Sequence, residues 1–215
     1  MRKERNTFMT KQSELPKNDR TKNIPDYRFF YWGPLLFKIK LNPPDLKKCA
    51  KLCSKKESNV NEMLAGIIKH EHYVNHHHYY KILDPYLGAF RLAYRQWYGN
   101  NCPNKMTMQS AWVNFMKAGE FNPPHIHSNC DFSSVLFVKI PEKLREEHKK
   151  FVGSSAGPGA ISFLYGDART DSISHKDFLP EEGDFFMFPA TLKHFVAPFM
   201  SKGERISISA NFRVD

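Results

Sequence analysis

Cysteine is scarce in this 215-residue chain: Cys49, Cys53, Cys102 and Cys130 are the only four, and none forms a CxxC pair. That excludes a disulfide-dense scaffold and the common zinc-knuckle and dithiol motifs, and leaves reduced thiols as the expectation. No window approaches the roughly 18 to 20 uninterrupted apolar residues that a membrane-spanning helix requires. Glycine (11) and proline (14) are too few for a collagen-like or low-complexity chain. No apolar h-region follows the charged start MRKERNTFMTKQ, so the expected setting is intracellular and cytoplasmic, without membrane association.

What is present describes a globular chain, 41% hydrophobic and 25% charged, with enough residues to bury a core. The net charge of +10 is unevenly spread. Residues 1–57 hold 15 Lys and Arg against 6 Asp and Glu, a balance of +9, whereas residues 58–215 hold 17 against 16, a balance of +1. A positive surface attracts polyanions whatever their sequence, but here that property belongs to the entry segment. Residues 1–25 are basic and almost free of aliphatic side chains, and are expected to form an arm without a core of its own.

Residues 26–105 read as a strand and helices. Alternation over Leu36–Leu41 suggests a strand, and Asp45 after Pro43–Pro44 is a candidate helix cap, with Leu46, Cys49, Ala50 and Cys53 on one face. Tyr79, Leu83, Tyr86, Leu87, Phe90 and Tyr94 predict a longer helix that contains Pro85. From residue 106 onward short apolar runs alternate with Gly, Pro, Asn and Asp turns, which predicts an antiparallel sandwich or jelly roll. Residues 144–151, LREEHKKF, read as a charged loop or short helix.

Five of the ten histidines, His70, His72, His76, His77 and His78, crowd one stretch. Their spacing gives no shared helical face, which favours a surface or substrate-facing role over metal binding. His125 and His127 differ: in an extended segment, residues i and i+2 point the same way about 6 to 7 Å apart, close enough to converge on one ion. His194, beyond a buried-looking strand and a turn, can supply a third ligand and complete a facial triad. Asp131 is the nearby carboxylate that could stand in for His127, but along a straight strand it lies about 13 Å away, so only a turn through residues 128–130 would return it. Arg205 and Ser207 share a strand face in an apolar run, a guanidinium fork and a hydroxyl suited to a carboxylate. Trp112 and Asn114 are candidates to line the barrel near that point, or simply to pack.

These blocks, HIH at 125–127, GDFFMFPATLKHFVAP at 183–198 and ERISISANF at 204–212, resemble the 2-oxoglutarate/Fe(II)-dependent oxygenases common in bacteria and their phages. The resemblance covers roughly residues 106–215. It implies a double-stranded β-helix of the cupin-like kind and an oxidoreductase, a dioxygenase that uses Fe(II), O2 and 2-oxoglutarate. Such an enzyme oxidises, typically hydroxylates, a substrate with release of succinate and CO2. It further implies that His125 and His194 are iron ligands, with His127 where the wider superfamily carries Asp or Glu, and that Arg205 and Ser207 hold the distal carboxylate of 2-oxoglutarate. Tyr165, Asp167 and Arg169 resemble a further stretch of that family, or form a structural turn. The competing expectation is a non-catalytic cupin-like module that binds metal or docks a partner, with the basic arm as a possible nucleic-acid contact. The primary substrate, whether protein, nucleic acid or metabolite, and the oligomeric state are open at this point.

Overall fold

Alternating apolar and basic residues form β1 (Phe37–Lys40), and Asn42-Pro43-Pro44 then turns the chain into α1 (Pro43–Leu52). The computed structural model describes residues 33–99, 105–167 and 174–214. The basic arm expected over residues 1–25, and Cys102 and Arg169, lie outside them. Asn42, rather than Asp45, caps α1: its side-chain oxygen accepts from the Asp45 backbone N–H at 2.8 Å. The two prolines cause this shift, because proline needs no N–H partner and already has a helical φ in the first turn, so the cap moves upstream of both.

The histidine-rich stretch divides in two. Glu71–Tyr73 is a short strand, β2, and His76–His78 begin a 23-residue helix, α2 (His76–Tyr98), capped by the Asn75 side chain. Pro85 lies inside α2, where the lost hydrogen bond costs roughly 3 kcal/mol. Burial of Tyr79, Leu83, Tyr86, Leu87 and Phe90 along one face outweighs that cost, at about 1.5 to 3 kcal/mol per large side chain.

The remaining elements are β3 (Met106–Lys117), β4 (Asn122–His125), β5 (Phe132–Lys139), α3 (Leu144–Lys150), β6 (Ile161–Leu164), β7 (His175–Phe178), β8 (Asp184–Pro189), β9 (Lys193–Val196) and β10 (Glu204–Val214). LREEHKKF is thus a short helix followed by a bend. The strands form two antiparallel sheets, one in the order β1-β8-β5-β10-β3-β2 and the other β4-β9-β6-β7. This is the mainly β, jelly-roll architecture expected from the turn spacing, and strands from both sides of residue 105 share the larger sheet.

Period-2 alternation sorts the side chains of the larger sheet into two cores. One face sends Val113, Phe115, Leu136, Phe185, Met187, Ile208, Ala210 and Phe212 against α1 and α2. The other sends Met116, Val135, Phe137, Phe186 and Phe188 inward, to meet Ile161, Phe163 and Val196 of the smaller sheet. The helices therefore brace the back of the sheet whose front lines the interior.

Phe90 joins α2 to this sheet, its ring 5.6 Å from that of Phe37 and 5.2 Å from that of Phe132. Phe90→Ala is expected to destabilise the fold by about 3 to 5 kcal/mol, read as a lower urea midpoint with an unchanged slope. A shift under about 1 kcal/mol would show that α2 does not brace the sheet.

Candidate metal centre

The register of β4 against β9 brings the first two histidines together. Asn122 opposes Val196, yet His125, three residues on, opposes His194, two residues back, so β4 carries one extra residue at Pro123-Pro124. Proline donates nothing to a ladder, and an unpaired extra residue is what a bulge accommodates. Without it His194 would face a proline, because a one-residue slip reverses every side chain. Phe163 of β6 also opposes His194, so Phe163, His194 and His125 form one row across the inner face of the smaller sheet.

His127 follows beyond the end of β4, its backbone N–H donating to Ala190 O at 2.9 Å. Its Nε2 stands 3.3 Å from that of His194, and the ring centroids of His125, His127 and His194 lie 4.3 to 5.2 Å apart. One ligand nitrogen from each of the three lies within 4.8 Å of the others. Two nitrogens each about 2.1 Å from a divalent ion and at right angles to it stand about 3 Å apart, so the spacing suits one ion.

Backbone carbonyls orient two of the rings. Nδ1 of His125 donates to Pro123 O at 2.7 Å, and Nδ1 of His194 donates to Leu192 O at 2.9 Å, which leaves both Nε2 lone pairs for an ion. Phe188 lies edge-on to His194 at 4.7 Å and Trp112 lies 5.8 Å from His127, so aromatic rings back the cluster, in which His194 is buried and His125 and His127 are half-buried. Burial holds the imidazoles neutral: the pKa of His194 falls to about 3 and that of His127 to about 4, with the mutual repulsion of the rings adding to the effect. The pKa of His125 is also lowered by burial, opposed by its bond to Pro123.

On the inner face of β10, Arg205 is 1% exposed. It donates to Gly159 O at 3.2 Å, its Nε has no hydrogen-bond partner among the described residues, and its guanidinium lies 5.4 Å from the centroid of the Phe137 ring. Among the described residues no carboxylate pairs with it. Burial lowers its pKa to about 9, which still leaves a cation at neutral pH. A bulge between Ile206 and Ser207 against β5 sets Ser207 opposite Phe137. Ser207 also opposes Asn114, whose side-chain amide donates to Ser207 Oγ at 3.4 Å and Ser209 Oγ at 3.2 Å. A buried cation, a hydroxyl and a carboxamide thus line one inner face.

Asp131 is not brought to the cluster. Asn129, at φ 60°, turns the chain as such a return would require, but the exposed Asp131 carboxylate accepts from the Val214 N–H at 2.9 Å while its own N–H donates to Phe212 O at 2.8 Å. The turn starts β5 and places the side chain at the end of β10. His72 is buried on the opposite face, with Nδ1 2.8 Å from Glu57 O, and His76 meets the Tyr73 hydroxyl at 3.0 Å. Tyr165 is exposed where β6 leads toward β7. Glu71 is the inner-face residue that spacing does not reveal: it reaches this face only through the pairing of β2 with β3.

Residues 110–211 match the family model described as "Putative 2OG-Fe(II) oxygenase". No curated protein matches the chain. Among solved structures, a viral collagen prolyl hydroxylase of Paramecium Bursaria Chlorella virus-1, in complex with 2-oxoglutarate, is similar at a TM-score of 0.53 and 14% identity, over 84% of this chain and 96% of that one. A Pseudomonas putida prolyl-4-hydroxylase is similar at 0.52 and 16%, over 84% and 92%. A Trichoplax adhaerens prolyl hydroxylase, in complex with a hypoxia-inducible-factor peptide, is similar at 0.53 and 12%, over 83% of each chain. At these identities the likeness is one of fold.

A direct check on the cluster is the titration of its rings in the metal-free protein. An ordinary imidazole gains its proton near pH 6.5, but burial favours the neutral form here. The ring-proton NMR signals of His127 and His194 should therefore stay unshifted from pH 8 down to about 5. A midpoint near pH 6.5 for either His127 or His194 would contradict the burial that favours their neutral form.

Proposed function

Residues 110–211 belong to the 2-oxoglutarate- and Fe(II)-dependent oxygenases, and from that premise we propose that His125, His127 and His194 hold Fe(II) while Arg205 and Ser207 hold the distal carboxylate of 2-oxoglutarate. The observation that carries this reading is the buried guanidinium of Arg205, which no carboxylate of the described residues pairs, on the inner face of the barrel that holds the imidazole cluster. A buried cation without an anion is expensive, and a carboxylate presented to its fork would offset that cost.

The donor set fits the metal. Neutral imidazoles suit iron among other divalent ions, and three ligands on one side leave positions for co-substrate and oxygen. The fit differs from the two-histidine, one-carboxylate triad in charge: with His127 in the third place the protein ligands contribute none, so the dianionic co-substrate supplies the compensating charge. With 2-oxoglutarate bound, Fe(II) would activate O2, the oxidant, one oxygen atom being taken into succinate as the keto acid loses CO2 and the other left for the substrate.

The chain's own residues bind, orient and shield. Arg205 anchors the co-substrate carboxylate, and Ser207 donates its hydroxyl to the same group while Asn114 orients that hydroxyl from the neighbouring strand. Pro123 and Leu192 carbonyls hold the Nδ1 protons of His125 and His194, so neither ring rotates away or presents the wrong nitrogen. Phe163 and Phe188 exclude water behind His194. The proposed reaction is hydroxylation of a substrate.

Anaerobic addition of Fe(II) and 2-oxoglutarate should produce a weak visible charge-transfer band, and His194→Ala should abolish it. Arg205→Ala should weaken 2-oxoglutarate binding roughly 30-fold or more, since truncating one partner of a buried charged pair costs about 2 to 5 kcal/mol. In air, the wild type without primary substrate should release succinate slowly. No band, no succinate and an indifferent Arg205→Ala would replace this reading with a metal-binding or docking module.

A further inference from the structure

Strand parity sends Arg205, Ser207, Ser209, Asn211 and Arg213 of β10 to the inner face, since Phe212 and Val214 pack on the helical side. Asn211 opposes Ser110 of β3 and Ser133 of β5, and Ser133 opposes Phe188 of β8, so these residues share one inner row. Phe188 is the ring that lies against His194. The adjacent row joins Trp112, Ser209, Val135 and Phe186, and Trp112 is the ring that lies against His127. Ser209 and Asn211 therefore stand in the two rows that back the imidazole cluster, Asn211 about 10 Å from Phe188 between Cα atoms at roughly 4.8 Å per strand.

Solvent reaches this wall. β3 and β5 flank β10 and the helices cover its back, so water meets its inner-face side chains from the gap between the sheets. Ser110, Ser209 and Asn211 are nonetheless half-buried rather than buried, as are His125 and His127. Arg213, the next residue on the same face and roughly 7 Å along the strand beyond Asn211, is exposed. Exposure fades in the other direction, to 3% at Ser207 and 1% at Arg205, so the opening lies at the Arg213 end.

Each of these side chains has a donor to offer. The Asn114 amide donates to Ser209 Oγ at 3.2 Å and the Ser133 hydroxyl donates to Asn211 Oδ1 at 2.9 Å, which leaves the Ser209 O–H and the Asn211 NH2 for another acceptor. Arg213 adds a planar fork of N–H donors and a full charge. Among the described residues no acid forms an ion pair with it, and Asp131, beside the same strand end, accepts from the Val214 N–H. The charge of Arg213 acts on the Cys130 thiol, which lies 4.0 Å from the Ser133 hydroxyl, so the guanidinium stands on the side of the Asn211 row. Lys38, beside Phe186 at the far edge of the second row, is taken up by Asp184 at 2.9 Å.

Resting on the proposed active site, we infer that Arg213 and Asn211, with Ser209 behind them, are specificity-determining residues that receive an anionic oxygen group of the primary substrate. The substrate class is a compound that bears a carboxylate or a phosphate, with the carbon to be oxidised between that group and the imidazole cluster. Ser209 and Asn211 alone would serve a neutral carbonyl, but a charge-assisted bond is roughly twice as strong as a neutral one, so the arginine decides the sign. An ammonium group would meet donors and a like charge.

The test is NMR titration of the protein loaded with Zn(II), an unreactive ion that imidazoles also hold, and saturating 2-oxoglutarate. The probes are propionate, methyl phosphate, propanamide and propylammonium. Saturable shifts of the Asn211 side-chain NH2 and Arg213 Nε–H signals are expected with the anions alone, and the tighter of the two identifies the source of the charge. Arg213→Gln should weaken that binding about tenfold or more, the scale of one charge-assisted contact. Arg213→Glu should transfer binding to propylammonium, a reversal that an arginine with a merely structural role would not show. No shift with either anion, equal shifts with propanamide or propylammonium, or an unchanged affinity in Arg213→Gln would overturn the inference. The wild-type Fe(II)–2-oxoglutarate band separates the two proposals: a band without anion binding removes only the Arg213–Asn211 subsite, and saturable anion binding to the metal-free protein without a band removes only the metal centre.

Discussion

Strand β10 is the member of the larger sheet on which the interior depends. It is paired with β3 from Glu204 to Val214 and with β5 from Ile206 to Phe212, so its central side chains have no choice of face. Ile208, Ala210 and Phe212 go to the helical side, while Arg205, Ser207 and Ser209 go to the barrel. Two bulges, one in β5 against β10 and one in β4 against β9, then adjust the register by single residues. Those single residues matter because the side-chain period of a strand is two, and an adjustment of one exchanges inside for outside.

The interior holds two kinds of polar group that meet the low dielectric differently. The three imidazoles avoid the cost of burial by remaining neutral, which is also the form that can ligate a metal. Arg205 cannot discharge in the same way at neutral pH, and it sits over Phe137 with one backbone acceptor. The cluster is thus self-sufficient without an ion, whereas the guanidinium gains most from an added carboxylate. The buried guanidinium therefore calls for one kind of partner, an anion, whereas the three imidazoles by chemistry alone suit several divalent metals.

Much of the site was legible along the chain because it depends on short periodicities. The i, i+2 spacing of His125 and His127, and of Arg205 and Ser207, places each pair on a common face in any extended segment. The turn after GDFFMFPA places His194 at the start of a new strand. The amphipathic spacing of α2 survives Pro85 for the same local reason, five buried side chains on one stripe. The cap of α1 is local too: consecutive prolines move the first turn back, so that Asn42 rather than Asp45 caps the helix.

Composition, the distribution of charge, the two kinds of periodicity and the candidate ligand pairs follow from the order of residues alone, since each is decided within a few peptide units. Which histidine faces which, and which acid faces neither, is decided by pairing between strands far apart in sequence. His125 meets His194 because Pro123-Pro124 bulges, Asp131 turns away to the Val214 N–H, and Glu71 reaches the interior because β2 joins the edge of β3. No local pattern carries that information, because hydrogen-bond register is a property of two strands and is set only when the sheets close around a shared core.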